Sequence, residues 1–466
     1  MMRYTINQKI KSGLLLLVIV FFSFCKKNEF TAPAIVPDAS YPQVGTPYTG
    51  VLNSQDAIIY QVNLRSFSTD ASFKGVTARL DAIKDLGTTV VYLMPVTPVG
   101  VLKSAGGLGS PYSVKDYKGV NTEFGTLADL QALVAGAHER GMTVILDWVA
   151  NHTSWDNAWI TAHKNWYKQD DKGNIIAPPG TGWTDVAQLD YSNREMRAAM
   201  IDAMKYWVYT ANIDGFRCDA ADFVPFDFWK DANDALKTIT SHKLLMLAEG
   251  TRNDHFKAGF NLVYGMGYYS TLESKVFGTG ASVTMLQDLN TSEYATSYPG
   301  SQVVRYTTNH DVYTTDGSPV NVYGGKAGSV AAFVVTAYMK GVPMVYTGQE
   351  VGTTRDMNFF YHNPVDWTAN PDLALLYKGI LNFRKNSDAL KNGDLTVMSS
   401  DDVAAFTKAT DKEKVLVIDN LRGNNVTYNL PATVSKTGWK DAFSGTAVTL
   451  TEKIYLTPYR YMVLTQ

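Results

Sequence analysis

Eight short apolar segments recur between residues 57 and 346, and most of them are separated by stretches with helical periodicity. We predict strands at residues 57–62, 89–93, 143–146, 213–219, 244–249, 260–263, 302–306 and 342–346. Helices are predicted at residues 76–86, 127–140 and 194–210, and Gly87 and Gly141 are suited to ending the first two. Strands that alternate with helices pair in parallel, and eight of them close a barrel. The sequence therefore predicts an α/β fold, a (β/α)8 TIM barrel.

Two regions depart from this alternation and predict further structural units. The crossover after the third strand is too long for one helix, and its turn signals predict a small inserted subdomain at residues 151–190. After residue 390, β-type runs are separated by turn residues without a helical signal. We therefore predict a C-terminal antiparallel β-sandwich at residues 391–466, which leaves residues 56–390 for the barrel domain.

The first residues have the pattern of an export signal. Arg3, Lys9 and Lys11 precede a nearly unbroken apolar run at residues 13–24. This run is short for a membrane span and typical of the hydrophobic region of a signal peptide. We therefore predict a signal peptide at residues 1–24, with an uncleaved signal anchor as the alternative.

Cys25 directly follows the apolar run, and the segment is similar to a bacterial lipoprotein processing site. This predicts a lipid on Cys25 and a proline-containing flexible tether at residues 25–55. Cys218 is the only other cysteine, so a lipidated Cys25 leaves no disulfide within the chain. The expected location is the bacterial cell envelope, where an exported lipoprotein lies on a membrane through its lipid anchor.

Charge and composition narrow the class of partner. The formal net charge is −2 and the chain has no long basic run, which argues against a nucleic-acid partner. Aromatic residues make up 12% of the chain, a supply that could stack on sugar rings as well as fill a core. Composition alone does not decide between these two uses.

Polar residues lie at the carboxyl ends of four predicted strands, the end at which barrel enzymes carry their chemistry. They are Asp147, Asn151 and His152 after the third strand, Arg217 and Asp219 in the fourth, Glu249 in the fifth, and His310 and Asp311 after the seventh. Side chains alternate along a strand, so Arg217 and Asp219 point the same way. A cation beside a carboxylate favours its ionised form, which suits a nucleophile. Two carboxyl groups on successive strands are the catalytic groups that glycoside hydrolysis requires.

These four blocks, in this order and spacing, resemble the α-amylase family of glycoside hydrolases from about residue 55 to the C-terminus. Weaker matches lie at residues 110–117, 124–126, 341–343 and 348–350. The resemblance implies that Asp219 is the nucleophile and Glu249 the general acid and base. Asp311 would be the third catalytic carboxylate, which binds sugar hydroxyls and favours a distorted ring.

The resemblance also implies a set of substrate-binding residues. Tyr112 would be the stacking platform beneath the sugar, His152 and His310 would hydrogen-bond it, and Arg217 would hold the nucleophile ionised. The full set of implied substrate contacts is Tyr112, Asp147, His152, Arg217, His310 and Arg355.

The chain departs from the family pattern after the nucleophile. Asp219 is followed by Ala220, Ala221 and Asp222, where many members carry a Lys-His pair that contributes to a calcium site. Asn151 matches a calcium ligand of the family, but one oxygen is not a site, because calcium takes about six to eight. We therefore predict that no cofactor is required and assign no metal ligands. Calcium at Asn151 stays open, and the alternative is that Asn151 braces its loop.

The implied function is hydrolysis of α-1,4-glucosidic bonds in starch-like α-glucans and maltooligosaccharides, by a retaining double displacement. A transglycosylase or an exo-acting α-glucosidase on the same scaffold is the first alternative. A non-catalytic glycan-binding protein is the second, and the presence of all three carboxylates speaks against it. The expected partners are an α-glucan and a membrane.

Overall fold

The computed structural model describes residues 41–435 and 438–466. Eight parallel strands close into a barrel in the order β1-β10-β9-β8-β7-β6-β3-β2, and β4 pairs with β5 in a separate hairpin. The strands are β1 (Ile59–Val62), β2 (Val90–Leu93), β3 (Thr143–Val149), β4 (His152–Ser154), β5 (Val186–Gln188), β6 (Gly215–Asp219), β7 (Leu245–Ala248), β8 (Leu262–Tyr264), β9 (Gln302–Arg305) and β10 (Val342–Tyr346). The predicted (β/α)8 barrel is confirmed.

Helices surround the barrel and connect its strands. The α-helices are α1 (Leu64–Phe67), α2 (Phe73–Thr77), α3 (Leu80–Asp85), α4 (Leu127–Glu139), α5 (Ala158–Ala162), α6 (Arg194–Thr210), α7 (Phe226–Lys237), α8 (Met266–Ser270), α9 (Met285–Ser292), α10 (His310–Asp316), α11 (Pro319–Val322), α12 (Gly325–Tyr338), α13 (Pro371–Asn386), α14 (Asp388–Asn392) and α15 (Ala432–Ser435). Short 3-10 helices cover Ser54–Asp56, Lys164–Trp166, Ala221–Phe223 and Gln349–Val351, and Thr271–Phe277 is a π-helix.

The predicted helix at residues 76–86 is wrong in its start and its continuity. Two short helices, α2 and α3, occupy this stretch, and the first begins earlier because Ser72 caps it by accepting a hydrogen bond from the Gly75 N–H. The predicted stop is correct. Gly87 has φ +107°, and a Cβ there would lie 3.0 Å from the Leu381 backbone.

Side chains of the barrel strands alternate between the interior and the surrounding helices. Ile59, Tyr92, Leu247 and Met344 belong to the cluster inside the barrel. Phe216 and Cys218 of β6 belong instead to the larger cluster between strands and helices. Arg217 and Asp219 alternate with them and contact each other, so this end of β6 presents a charged pair to the barrel mouth.

The C-terminal region is an antiparallel β-structure, as predicted. Its strands are β11 (Asp394–Val397), β12 (Val403–Ala409), β13 (Lys414–Asn420), β14 (Val426–Asn429), β15 (Trp439–Asp441), β16 (Ala447–Val448), β17 (Lys453–Leu456) and β18 (Tyr461–Thr465). Six form one sheet in the order β11-β12-β13-β18-β15-β16, and β14 pairs with β17. One face of the large sheet, with Phe406 and Val417, joins the core beside the barrel helices, while Leu416 and Ile418 face the second cluster.

The long crossover after β3 holds the β4–β5 hairpin and α5, within the region predicted as an inserted subdomain. Residues 1–40, with the predicted signal peptide and Cys25, lie outside the described residues. Within residues 41–435 and 438–466, no helix is both long and apolar enough to cross a membrane.

Candidate active site

A single guanidinium group contacts three carboxylates at the carboxyl ends of β3, β6 and β7. Arg217 Nη1 donates hydrogen bonds to Asp147 Oδ1 at 2.7 Å and to Asp219 Oδ1 at 3.0 Å. Arg217 Nη2 forms an ion pair with Glu249 Oε1. Arg217 and Asp147 have no exposed side-chain surface, whereas Asp219 and Glu249 are each 12% exposed and face the opening.

Strand register brings these groups together. In the barrel, β6 lies between β3 and β7, and its register pairs Asp147 with Arg217 and Cys218 with Ala248. The Glu249 N–H donates to the Cys218 carbonyl at 3.0 Å, so the two predicted catalytic carboxyl groups leave neighbouring strands side by side. The positions that the sequence predicted for Asp219 and Glu249 therefore meet at one point of the barrel mouth.

The environment of Asp219 favours its ionised form less than the sequence predicted. Burial and the negative charge of Glu249 raise the pKa of Asp219 well above its usual value, and Arg217 opposes this shift only in part. The expectation considered Arg217 beside Asp219 alone, but the same cation also serves Asp147 and Glu249. Glu249 has a second hydrogen-bond donor, since its Oε2 accepts from the Ala220 N–H at 2.7 Å.

A chain of hydrogen bonds closes one side of the carboxylate cluster. The Tyr112 hydroxyl donates to Asp147 Oδ2 at 2.9 Å and lies 2.5 Å from His310 Nε2. The Gln61 amide lies 2.8 Å from His310 Nδ1, so both ring nitrogens of His310 have a polar partner. Tyr92 donates to the same Asp147 oxygen at 2.6 Å.

His310 is neutral in this arrangement. Burial and the nearby Arg217 lower its pKa to about 4. Its ring stacks on that of Tyr112, with centroids 5.3 Å apart and planes 22° from parallel. The two residues therefore form one rigid polar and aromatic wall beside Arg217.

Asp311 is the most open of the carboxylates. It follows His310 at the start of α10, where Asn309 caps the helix by accepting hydrogen bonds from the Asp311 and Val312 N–H groups. Its side chain is 52% exposed, and Oδ1 lies 3.3 Å from His310 Nε2. Asp311 thus borders the cleft and is available to an incoming hydroxyl group.

His152 lies on the opposite loop, directly after β3. Burial lowers its pKa to about 4, so it is neutral near pH 7. Asn151 Nδ2 contacts His152 Nδ1 at 3.2 Å, and the Tyr117 hydroxyl donates to the His152 carbonyl at 2.9 Å. These contacts hold both the backbone of His152 and one nitrogen of its ring in place.

The surroundings of Asn151 do not fit a calcium ion. Gln188 Nε2 donates to the Asn151 carbonyl at 3.1 Å, to Asn151 Oδ1 at 3.0 Å and to the Leu189 carbonyl at 3.2 Å. A cation would have to displace this N–H donor from the point on which the three oxygens converge. In the described part of the chain, no group of three or more His, Cys, Asp or Glu side chains is arranged to hold a metal ion.

Arg355 does not join the cluster. Its guanidinium donates to the Pro364 carbonyl at 3.2 Å, and its own carbonyl accepts from the Tyr313 hydroxyl at 2.9 Å. The side chain is exposed on the loop after β10. Its predicted contact with substrate stays a prediction.

Asp222 is a further functional candidate. The sequence analysis noted it only as a residue that differs from the family pattern after the nucleophile. Its carboxylate accepts hydrogen bonds from the Thr251 N–H at 2.9 Å, the Arg252 N–H at 3.1 Å and His255 Nε2 at 2.6 Å. These donors belong to the loop that directly follows Glu249. Asp222 therefore joins the chain after the nucleophile to the chain after the acid and base.

Gln61, Tyr92 and Gln188 also escaped the sequence analysis. Gln61 could have been recognised, because it is a polar residue within the apolar strand β1. A buried amide requires hydrogen-bond partners, and this points to other polar groups nearby. Tyr92 and Gln188 carry no comparable signal, since Tyr is common in strands and Gln188 lies at the end of a short strand in the inserted region.

Sequence comparison places the chain among known proteins. The profile of the α-amylase catalytic domain matches residues 59–427, and that of the α-amylase SusG C-terminal domain matches residues 403–463. The chain is 26% identical to α-amylase MalA of Haloarcula japonica over 415 residues, which cover 83% of this chain and 58% of that protein.

Solved structures agree with the sequence matches. An α-amylase from Lactobacillus plantarum superposes with a TM-score of 0.77 at 28% identity, covering 88% of this chain and 99% of that one. A noncanonic maltogenic α-amylase, AmyB from Thermotoga neapolitana, superposes with a TM-score of 0.79 at 25% identity, covering 89% and 99%. Both alignments include the barrel and most of the remaining chain.

Proposed function

Because the chain belongs to the α-amylase family of glycoside hydrolases, we propose that it hydrolyses α-1,4-glucosidic bonds in starch-like glucans and maltooligosaccharides with retention of anomeric configuration. The observation that carries this proposal is the placement of Asp219 and Glu249 on adjacent nitrogens of the buried Arg217 guanidinium. This pair gives one carboxylate for attack and one carboxyl group for proton transfer.

The roles of Asp219 and Glu249 follow from the chemistry of the reaction. Asp219 attacks the anomeric carbon and forms a glycosyl ester, while Glu249 gives its proton to the departing glycosidic oxygen. Glu249 then takes a proton from the water that cleaves the ester. Attack requires Asp219 to be ionised, and Arg217 is the group that lowers the pKa of Asp219 against the effects of burial and of the Glu249 charge.

Retention follows from the spacing of the strands. Asp219 and Glu249 end the paired strands β6 and β7, and neighbouring strands lie about 4.7–4.9 Å apart. An inverting enzyme needs about 6.5–9.5 Å between its carboxyl groups to admit a water, whereas a retaining enzyme needs about 5–5.5 Å. Adjacent strands favour the shorter distance.

The remaining polar groups fit the binding of one sugar unit. The wall of Tyr112 and His310 offers a ring face and a polar edge, and the open carboxylate of Asp311 accepts hydrogen bonds from hydroxyl groups. His152 hydrogen-bonds the Tyr112 backbone beside this wall and is neutral near pH 7. Neutral imidazoles suit sugar hydroxyls, because they bind them without attracting an anion.

The proposal is tested with Asp219→Asn and Glu249→Gln, assayed on soluble starch, with the exposed Asp234→Asn as the matched control. Each site variant should lose at least about 10²-fold in activity, while circular dichroism stays that of the wild type. If either variant kept more than about a tenth of the wild-type activity, the role given to that residue would be excluded.

Product analysis tests the stereochemistry and the mode of action. Proton NMR of the first products should show the α anomer before mutarotation, and an initial β product would exclude Asp219 as nucleophile. Chromatography of starch digests should show mixed maltooligosaccharides. Glucose alone, or chains longer than the substrate, would instead identify the exo-acting or transglycosylating alternative.

We further propose that the enzyme is exported and attached to a bacterial membrane through lipid on Cys25. The support is the order of a positive segment, an apolar run and a cysteine within residues 1–25. Attachment at the envelope would hold the active site outside the cytoplasm.

A further inference from the structure

A buried arginine contacts the loops that carry the wall of Tyr112 and His310. Arg65 follows β1 in the short helix α1, and it is only 2% exposed. The reaction proposed above gives this residue no role. Its contacts nevertheless lie on both sides of the wall, and they account for all of its hydrogen-bond donors.

Each of the five N–H donors of Arg65 has an acceptor. Nε and Nη2 donate to the two carboxylate oxygens of Glu123 at 2.8 and 2.9 Å. Nη1 donates to the Gly109 carbonyl at 2.6 Å and to the Phe359 carbonyl at 2.7 Å, and Nη2 also donates to the Leu108 carbonyl at 3.1 Å. A guanidinium holds its donors in one rigid plane, so it fixes these segments relative to one another.

The acceptor carbonyls belong to the two loops that flank the wall. Gly109 lies just before Tyr112 in the loop after β2, where the Tyr112 N–H donates to Ser110 Oγ at 3.2 Å. Phe359 lies in the loop after β10, and its ring centroid is 5.9 Å from that of Tyr112 and 5.9 Å from that of His310. The guanidinium therefore binds the backbone on both sides of the wall.

The loop before Tyr112 needs such support because its own backbone is permissive. Three of the four residues at 106–109 are glycine, the residue with the largest conformational freedom. The Leu108 N–H donates to the Phe360 carbonyl at 2.9 Å, which joins the two loops directly. Arg65 adds contacts to both loops from a buried and rigid position, so it can determine where the wall stands.

Glu123 holds the guanidinium in its orientation. Its Oε1 also accepts from His362 Nε2 at 2.7 Å, and its Oε2 from Asn121 Nδ2 at 3.3 Å. Burial raises the pKa of Glu123, but Arg65 and His362 outweigh this effect and lower the pKa below its usual range. Glu123 is therefore ionised near pH 7, and two parallel charge-assisted hydrogen bonds orient Arg65.

We propose that Arg65 is a positioning residue of the hydrolytic reaction, which holds Tyr112 and His310 against the reacting sugar by fixing the backbone on both sides of them. This inference rests on the proposed hydrolytic function. Arg65 acts through Tyr112, so its replacement displaces a group that touches the sugar. A displacement of about 1 Å can lower the rate by about 10²-fold.

The first test replaces the guanidinium by a group that keeps its charge. Arg65→Lys retains the attraction to Glu123, but three donors on one nitrogen cannot reproduce five contacts in a plane. The kcat on maltoheptaose should fall by about 10-fold to 100-fold, while KM changes by less than about threefold, since the other sugar units bind outside the wall. Glu123→Gln, which loosens the guanidinium without altering it, should lower kcat in the same direction.

A double-mutant cycle shows whether Arg65 acts through the wall. In a Tyr112→Ala background, Arg65→Lys should change kcat/KM by less than about threefold, because the group that it positions is already absent. Amide hydrogen exchange gives a measurement that does not depend on activity. Residues 106–113 and 356–361 should exchange faster in Arg65→Lys than in the wild type.

Arg422→Lys is the matched control. Arg422 also binds a carboxylate and several carbonyls, with Asp402 Oδ1 at 2.8 Å, the Val276 carbonyl at 2.6 Å and the Ala281 carbonyl at 2.7 Å. These contacts join the C-terminal β-structure to the barrel domain. The control should lower the melting temperature but leave kcat unchanged, when kcat is measured well below that temperature.

Three results would overturn the positioning role. They are a wild-type kcat in Arg65→Lys, losses of Arg65→Lys and Tyr112→Ala that simply add, and unchanged exchange in the two loops. Failure of the hydrolytic function looks different, because the wild type itself would then cleave no maltoheptaose. In that case, the exchange measurement still decides whether Arg65 holds the wall.

Discussion

Asp222 offers a sharp test of how the two catalytic carboxyl groups are held relative to each other. Its carboxylate accepts four hydrogen bonds from the loop after Glu249, from the Thr251 N–H and hydroxyl, the Arg252 N–H and His255 Nε2. Arg252 Nη1 donates back to the Asp222 carbonyl at 3.0 Å. We expect Asp222→Ala to loosen this connection and shift Glu249 relative to Asp219.

The magnitude follows from the bonds removed. Hydrogen bonds to a charged acceptor contribute about 1.5–3 kcal/mol each, but the side chain is 32% exposed and water can reach its partners. We therefore expect Asp222→Ala to lower the free energy of unfolding by about 2–3 kcal/mol rather than the full sum. A displacement of about 1 Å at the reacting groups can lower the rate by about 10²-fold, and kcat should fall accordingly.

The pH dependence gives a second measurement. Burial alone would raise the pKa of Asp222, but hydrogen bonds from His255 and from the Thr251 and Arg252 N–H groups outweigh it and hold the pKa well below the usual range. A carboxylate with a lowered pKa contributes stability above its unfolded pKa of about 4 and loses it as the pH falls. The difference in melting temperature between wild type and Asp222→Ala should thus be constant from pH 7 to 5 and shrink below about pH 4.

The control is Asp254→Ala in the same loop. Asp254 pairs with Arg252 Nε at 2.9 Å, and its side chain is 40% exposed. Its loss should leave kcat within about threefold, because a partly exposed ion pair contributes little. kcat is measured well below both melting temperatures, together with the pH profile of kcat/KM. An Asp222→Ala variant that is less stable but has wild-type kcat and pH profile would refute the positioning role.

Two further predictions concern the loop at Asn151 and the N-terminus. EDTA should lower the melting temperature of the wild type by much less than about ten degrees, since Gln188 supplies the donor for the converging oxygens. Gln188→Glu should be destabilised and partly rescued by Ca²⁺; a large EDTA effect on the wild type would instead show a tight calcium site. Cys25→Ala should move the protein from the detergent phase to the aqueous phase or block its maturation, and an unchanged membrane fraction would favour the uncleaved anchor.

The barrel could be predicted from the sequence because each of its strands is recognisable from a few neighbouring residues. Each strand is a short apolar run, and the parallel pairing of eight such runs places all their carboxyl ends on one face. Asp147, Arg217 and Glu249 could therefore be assigned to one site without knowledge of any contact. The continuity of the helix at residues 76–86 was beyond this reasoning, because its break depends on a cap and on packing.

The residues that connect the loops could not be predicted. Asp222 binds groups 29 to 33 positions away, and Gln188 binds the carbonyl of Asn151 37 positions away. Such contacts depend on how two loops approach each other in space. The periodicity of the sequence does not predict this approach.

Arg217 shows how a correct contact can support an incomplete electrostatic argument. Its proximity to Asp219 was predicted from strand alternation and is present at 3.0 Å. Asp147 and Glu249 contact the same guanidinium, so one positive charge faces three carboxyl groups, and at Asp219 burial and the Glu249 charge outweigh it and raise the pKa. Arg217 therefore serves the reaction chiefly by holding Asp219 and Glu249 side by side, one on each terminal nitrogen of its guanidinium.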